Sequence, residues 1–272
     1  MEFVKMQSAG NDYIYIDGSK IEKLDLPSLA INLSKRRFSV GADGIISVSK
    51  ISNGAVIMKM FNADGTEGAM CGNGVRCSAV FAKKFLGVTA EQITVKTSSK
   101  EVVVDIKNLS YPTALLGVVN EVFTSRFLAD KFVKSGLYVD YHDIFSFNVG
   151  NLHLVLFTEK PLNEINETAM KSRLFEDGVN VERVYKIDES NLSLPILYTE
   201  VFERGSGKTL SCGSGAVAVS KAYLMKKYGA LKSGITVTVL TEGGELKVFF
   251  KGENAYLSGE VKQIYRGIID EI

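Results

Sequence analysis

Cysteine is scarce in this chain of 272 residues: three in all, at positions 71, 77 and 212. An odd and low count excludes a disulfide-stapled scaffold. Clustered metal ligands are also lacking. No four Cys or His residues fall at compact zinc-site spacing, so no metal is expected. Net charge is nearly absent, with 32 basic against 31 acidic residues. That balance gives no electrostatic footing for nucleic acid or a membrane surface. No apolar run approaches the ~18 residues of a membrane span, and the start, MEFVK, has neither signal-peptide nor transit-peptide character. A phosphate-cradling G-x-x-x-x-G-K-[ST] loop and a dinucleotide fingerprint are missing as well. The expectation is a soluble cytoplasmic protein.

What is present is a duplication. FNADGTEGAMCGNGVRCSAVFAKKFLG spans Phe61 to Gly87, and FERGSGKTLSCGSGAVAVSKAYLMKKYG spans Phe202 to Gly229. In both, a Phe stands ten residues before the Cys, and Cys-Gly-x-Gly opens a long apolar stretch. Cys71 and Cys212 are 141 residues apart; Gly10-Asn11 and Gly150-Asn151 are offset by 140, and the two Ile-Thr-Val runs by 142. A period this long signals two homologous domains rather than a solenoid. The expected domains are 1–115 with 262–272, and 116–261, divided near Asn108–Leu116.

Most segments of the first half read as short strands: Phe3–Met6, Tyr13–Ile16, Gly44–Ser49, Val56–Phe61, Ile93–Lys96 and Val102–Ile106. An amphipathic helix is expected over Pro27–Arg37, capped by Asp25, with a counterpart over Leu162–Arg173. The stretches Val75–Leu86 and Ala216–Met225 are apolar on nearly every face, so these helices must be buried all round. Gly87 and Gly229 are natural stops. The fold class expected is α/β (α+β): in each domain a curved sheet or barrel wraps a central buried helix. Gln263–Ile269 has no place in the second repeat and is expected to return to the first domain.

A cysteine at the head of a helix is a chemical device. Unpaired N–H groups and partial positive charge favour a thiolate there, and they hold a carboxylate equally well. Built twice, the device suits inversion at carbon: one thiolate takes a proton, and one thiol gives a proton to the opposite face. Cys77 lies inside the apolar helix without flanking glycines and reads as a core residue. Two neighbouring thiols could also form a reversible disulfide, so a ligand-binding or redox protein is a competing reading.

The segments KMQSAGNDYIYID, RRFSVGADG, FNADGTEGAMCGNGVRC, GNLH and ERGSGKTLSCGSGA occur in one order along the chain. In these residues the sequence resembles the diaminopimelate epimerases over essentially its full length. The resemblance implies a pyridoxal-independent isomerase that interconverts LL- and meso-diaminopimelate for lysine and peptidoglycan synthesis, and a homodimer. It also implies an acid–base pair, Cys71 and Cys212. Gly72, Asn73, Gly213 and Ser214 match the residues that bind the α-carboxylate. Asn11, Asn62, Asn151 and Asn180 match side chains that hold the substrate's polar groups. Glu203 and Arg204 match the pair near the substrate, and His153 a histidine close to the catalytic centre. Leu152, Glu176 and Gly44 depart from the family pattern, so a shorter amino acid such as glutamate is an alternative substrate.

Overall fold

The structure is a computed structural model and describes residues 1–175 and 178–270. Glu176, one of the departures from the family pattern, lies outside the described residues. The chain divides into two compact units. One comprises Met1–Leu115 together with the segment from Ser258 on, and the other is Leu116–Leu257.

In the first unit the chain runs β1 (Glu2–Ser8), β2 (Asn11–Asp17), α1 (Leu26–Leu33), β3 (Gly44–Ser52), β4 (Ala55–Asn62), β5 (Glu67–Gly68), α2 (Gly72–Phe85), β6 (Gln92–Lys96) and β7 (Glu101–Asp105), and β8 (Thr113–Val118) carries the chain from Leu115 on into the second. The second contains β9 (Asn120–Glu121), α3 (Ser125–Lys134), β10 (Ile144–Asn148), β11 (Leu152–Phe157), α4 (Leu162–Lys171), β12 (Asn180–Asp188), β13 (Ile196–Glu203), β14 (Gly207–Thr209), α5 (Gly213–Tyr228), β15 (Thr236–Thr241) and β16 (Gly244–Lys251). The last strands are β17 (Asn254–Gly259) and β18 (Lys262–Ile268). β18 pairs antiparallel with β1, Glu2 opposite Ile268, so the chain end closes the first unit's sheet.

Each unit wraps strands around one buried helix. α2 packs on β1, β2, β3, β4, β6 and β7; α5 packs on β10, β11, β12, β15 and β16. Every residue of α2 from Gly72 to Ala82 is buried. The sheet carries a second apolar face. In β2, Ile14 and Ile16 point into a cluster with Leu29, Ala30 and Leu33 of α1, whereas Tyr15 meets Phe81 of α2 with ring centroids 6.0 Å apart. Residues alternate sides along a strand, so a strand covered on both faces reads as a continuous apolar run, as YIYI does. In the second unit α3 and α4 cover the outer face through Leu128, Phe132, Leu162 and Ile165.

Local signals are refined in three places. α1 ends at Leu33, not Arg37. Gly41 and Ala42 donate back to the carbonyls of Leu33 and Ser34, and Arg37 sits in the left-handed region at φ 74°, which turns the chain off the helix. Asp25 is the N-cap residue but makes no side-chain cap; its Oδ2 accepts from the Ser28 hydroxyl instead. α3 has no expectation from the sequence, although Thr124 caps it by accepting from Phe127 N–H at 3.4 Å. Gly229 closes α5 at φ 69°, a left-handed cap that glycine adopts without a Cβ clash. Among the described residues no helix is long and apolar enough to cross a membrane.

Candidate active site

The repeated cysteines occupy one conformation. Cys71 is the N-cap of α2 (φ −136°, ψ 117°), and Cys212 is the N-cap of α5 (φ −129°, ψ 122°). Their Sγ atoms take the place of the usual cap oxygen, accepting from Gly74 N–H and Gly215 N–H, each at 3.3 Å. These donors favour negative charge on sulfur. The glycines are needed for space. A Cβ on Gly74 would stand 2.9 Å from Ile46 Cδ1, and one on Gly215 would overlap Glu182 Oε1. Gly72 and Gly213 open the helices and are buried, as are Asn73 and Ser214.

Around Cys71 the polar neighbours come from β2 and from the loop before β3. The Cys71 thiol donates to Asn11 Oδ1 at 3.2 Å. The orientation of the Asn11 amide is set by Asp43, whose Oδ2 accepts from Asn11 Nδ2 at 2.9 Å and from Asp12 N–H at 3.0 Å. Arg36 pairs with both Asp12 and Asp43, and Lys5 pairs with Asp12. Asn73 Oδ1 accepts from the fully buried Arg76 at 2.8 Å. Asn62, at the end of β4, donates to the Thr66 hydroxyl at 3.0 Å. Gly44 is opposite Asn62 in the β3–β4 register, and a Cβ there would overlap the Phe61 carbonyl oxygen, so this backbone leaves no room for a side chain.

Around Cys212 the neighbours are acidic. The Ser214 hydroxyl lies 3.3 Å from Sγ. His153 is fully buried, with Nδ1 2.7 Å from Glu182 Oε1 and Nε2 2.9 Å from Asn151 Oδ1. A ring nitrogen of His153, a carboxylate oxygen of Glu182 and Cys212 Sγ lie within 4.8 Å of one another. Glu203 accepts from the Thr209 hydroxyl at 2.7 Å. Burial pushes the Cys212 thiol well above its ordinary range, and the Glu203 and Glu182 carboxylates push it the same way. Burial likewise raises the Glu203 carboxyl, against the pull of Thr209. Asn180 is turned toward the protein: its Oδ1 accepts from Arg204 N–H at 2.8 Å. The Arg204 side chain lies over Gly178, where a Cβ would come within 2.8 Å of its Cδ.

The first unit thus gathers Cys71, Gly72, Asn73 and Asn11, with Asn62 at the end of β4. The second gathers Cys212, Gly213, Ser214, His153, Asn151, Asn180, Glu203 and Arg204. Cys77 is apart from both sets, fully buried beside Tyr15, and burial pushes its thiol up to about 12. Asp43, Arg76 and Glu182 were not anticipated. Asp43 and Arg76 sit inside the quoted motifs GADG and GNGVRC and could have been found there. Glu182 carries no local signal.

Similar architecture occurs in solved structures. A phenazine biosynthesis protein of the PhzF family from Bacillus anthracis matches with a TM-score of 0.73, at 13% identity over 98% of each chain. A hydroxyproline epimerase from Agrobacterium vitis matches with a TM-score of 0.63, at 13% identity over 98% of this chain and 90% of its own. These likenesses define the class of fold: mixed α/β, in two sheet-dominated domains. The family model for diaminopimelate epimerase matches residues 3–120 and 145–264. Diaminopimelate epimerase of Caldanaerobacter subterraneus subsp. tengcongensis is 34% identical over 99% of this chain and 100% of its own length. That of Methanothrix thermoacetophila is 32% identical over 100% of this chain and 97% of its own. The chain belongs to the diaminopimelate epimerase family.

Proposed function

We propose that this chain is an amino-acid epimerase that inverts the α-carbon of LL-2,6-diaminopimelate to give the meso form, independently of pyridoxal, in lysine and peptidoglycan biosynthesis. The observation that carries the reading is the duplicated N-cap thiol in a chain of this family. One thiolate takes the α-proton and becomes a thiol. The other thiol gives its proton to the opposite face of the same carbon and becomes a thiolate. The α-carboxylate accepts from the N–H groups at Gly72, Asn73, Gly213 and Ser214, where helix-start donors and partial charge stabilise the carbanion as it forms. Asn11, Asn62, Asn151 and Asn180 serve as further polar contacts. Arg204 takes the distal carboxylate with its fork of donors, and Glu203 and His153 support the proton transfers. In this reading the enzyme works in the cytoplasm as a homodimer, on a small-molecule substrate and without nucleic acid or membrane.

The test is proton exchange at the α-carbon in deuterated water, followed by NMR for both isomers. The wild type should exchange and invert diaminopimelate faster than glutamate, and Cys71→Ala and Cys212→Ala should each lose inversion. Undiminished inversion in either variant, or faster turnover of glutamate, would overturn the reading.

A further inference from the structure

The repeat makes the two cysteines equivalent in backbone, but their buried neighbours differ in charge. Tyr13 and His153 hold equivalent places in β2 and β11. β2 pairs parallel with β3 so that Tyr13 faces Gly44, and β11 pairs parallel with β12 so that His153 faces Asn180. Two residues further, Ile46 and Glu182 are therefore counterparts. The glycines of the caps agree: the space beside Gly74 is filled by Ile46 Cδ1, and that beside Gly215 by Glu182 Oε1. Both side chains are fully buried. On the helices the difference reverses. Arg76 of α2 is fully buried and donates to the Gly72 carbonyl and to Asn73 Oδ1, and the equivalent residue of α5 is Val217.

Building on the proposed two-thiol chemistry, we propose that these unshared charges assign the thiols their roles before substrate arrives. Arg76 holds Cys71 as the proton acceptor, and Glu182 holds Cys212 as the proton donor.

The remaining groups leave that direction standing. Beside Cys71 are Asn11 from β2 and Ile46 from β3; the charge of Arg76 acts first on Cys77, whose buried thiol stays neutral, and next on Cys71. Asn11 is a neutral acceptor, and burial raises the Tyr15 phenol, keeping it neutral. The charges behind Asn11 (Lys5, Arg36, Asp12 and Asp43) cancel in pairs. Burial lowers Arg76 to about 10, which leaves it cationic at neutral pH. Facing Cys212 are Glu182 of β12, Glu203 of β13 and His153 of β11. Neither ring nitrogen of His153 spends its hydrogen bond on the thiol: one meets Glu182 and the other Asn151. In a low-dielectric interior the Arg76 cation, held on Gly72 and Asn73 next to Cys71, and the Glu182 carboxylate beside Cys212 outweigh the neutral Asn11 dipole.

The experiment is a pH titration of the protein labelled with 13C at cysteine Cβ, whose shift separates thiol from thiolate without a reagent needing access. Resonances are assigned with C71S, C77A and C212S. In the wild type Cys71 should ionise at lower pH than Cys212. Glu182→Gln should lower the Cys212 midpoint by about one pH unit, a tenfold change, and leave Cys71 in place. Arg76→Met should raise the Cys71 midpoint by a similar amount, and Arg76→Lys should restore it. If Arg76→Met does not fold, Glu182→Gln and Arg76→Lys still decide. A Cys212 midpoint below that of Cys71, or one unmoved by Glu182→Gln, refutes the assignment. Normal inversion alongside such a result would leave the epimerase reading intact, whereas split midpoints without α-proton exchange would sink that reading and leave only the difference in thiol acidity.

Discussion

Equivalent glycines should respond unequally to the same mutation. Gly74 and Gly215 each donate an N–H to a cap thiol, so Gly74→Ala and Gly215→Ala are the same change made in the two repeats. Alanine in place of glycine in a helix contributes about 0.5–1 kcal/mol. At Gly74 the new methyl meets Ile46 Cδ1 at 2.9 Å, the end of a side chain that can rotate. Overpacking of about 1–3 kcal/mol exceeds that gain, for a net loss of about 1 kcal/mol. At Gly215 the methyl lies 3.1 Å from both Glu182 Cδ and Cys212 Cβ and drives Oε1 off His153 in a fully buried setting. Losing a buried hydrogen bond to a carboxylate costs about 1.5–3 kcal/mol and the overpacking about 1–3 kcal/mol more, so Gly215→Ala should lose about 3 kcal/mol net. At ~2–4 °C per kcal/mol, Gly215→Ala should melt roughly 4–8 °C below Gly74→Ala. Thermal unfolding followed by far-UV circular dichroism reads the difference. Equal melting temperatures for the two variants would refute the claim that Glu182 fills the space that Ile46 fills in the other repeat.

Other expectations rest on single contacts. The Glu203 carboxyl is raised in the folded protein, so folding favours its protonated form. The stability this contributes is present at low pH and is lost as pH rises through the folded pKa. Glu203→Gln should therefore melt higher than the wild type at pH 7 and lose this slope above the ordinary carboxylate range, as a melting series across pH would show. Asp43→Ala removes the acceptor of Asn11 Nδ2 and Asp12 N–H and should cost about 1–3 kcal/mol. Asp43→Asn, which keeps one oxygen able to accept both, should cost under ~1 kcal/mol in the same melt. Cys77→Ala should lose about 1 kcal/mol of packing while the rate of α-proton exchange stays at the wild-type value; a large fall in exchange would place Cys77 in the chemistry.

Several features were legible because their cause is local. Cys-Gly-x-Gly followed by an apolar stretch specifies an N-cap and a buried helix, and both occur as written in the residues. YIYI and GIISV read as strands because the sheet is covered on two faces. Other features depend on what lies opposite. The end of α1 at Leu33 is imposed by the chain folding back through Gly41 and Ala42, which residue spacing along the helix does not report. The partner of Asn180 Oδ1 is the Arg204 backbone N–H, 24 residues away, which the residues around Asn180 do not report.

Glu182 marks the division most clearly. At the constant offset of 141 residues that relates the cysteines, Ile46 aligns with Ile187, and the repeat looks apolar in both copies at this place. The parallel pairing of β11 with β12 instead puts Glu182 there, because the connection between those strands is shorter than its counterpart. The sequence by itself determined the duplication, the two cap thiols and the family. Only the tertiary structure decided which charge lies beneath which thiol. Burial and strand register are properties of distant segments brought together, and they turn a carboxylate in a β-strand into the neighbour of a cysteine 30 residues on.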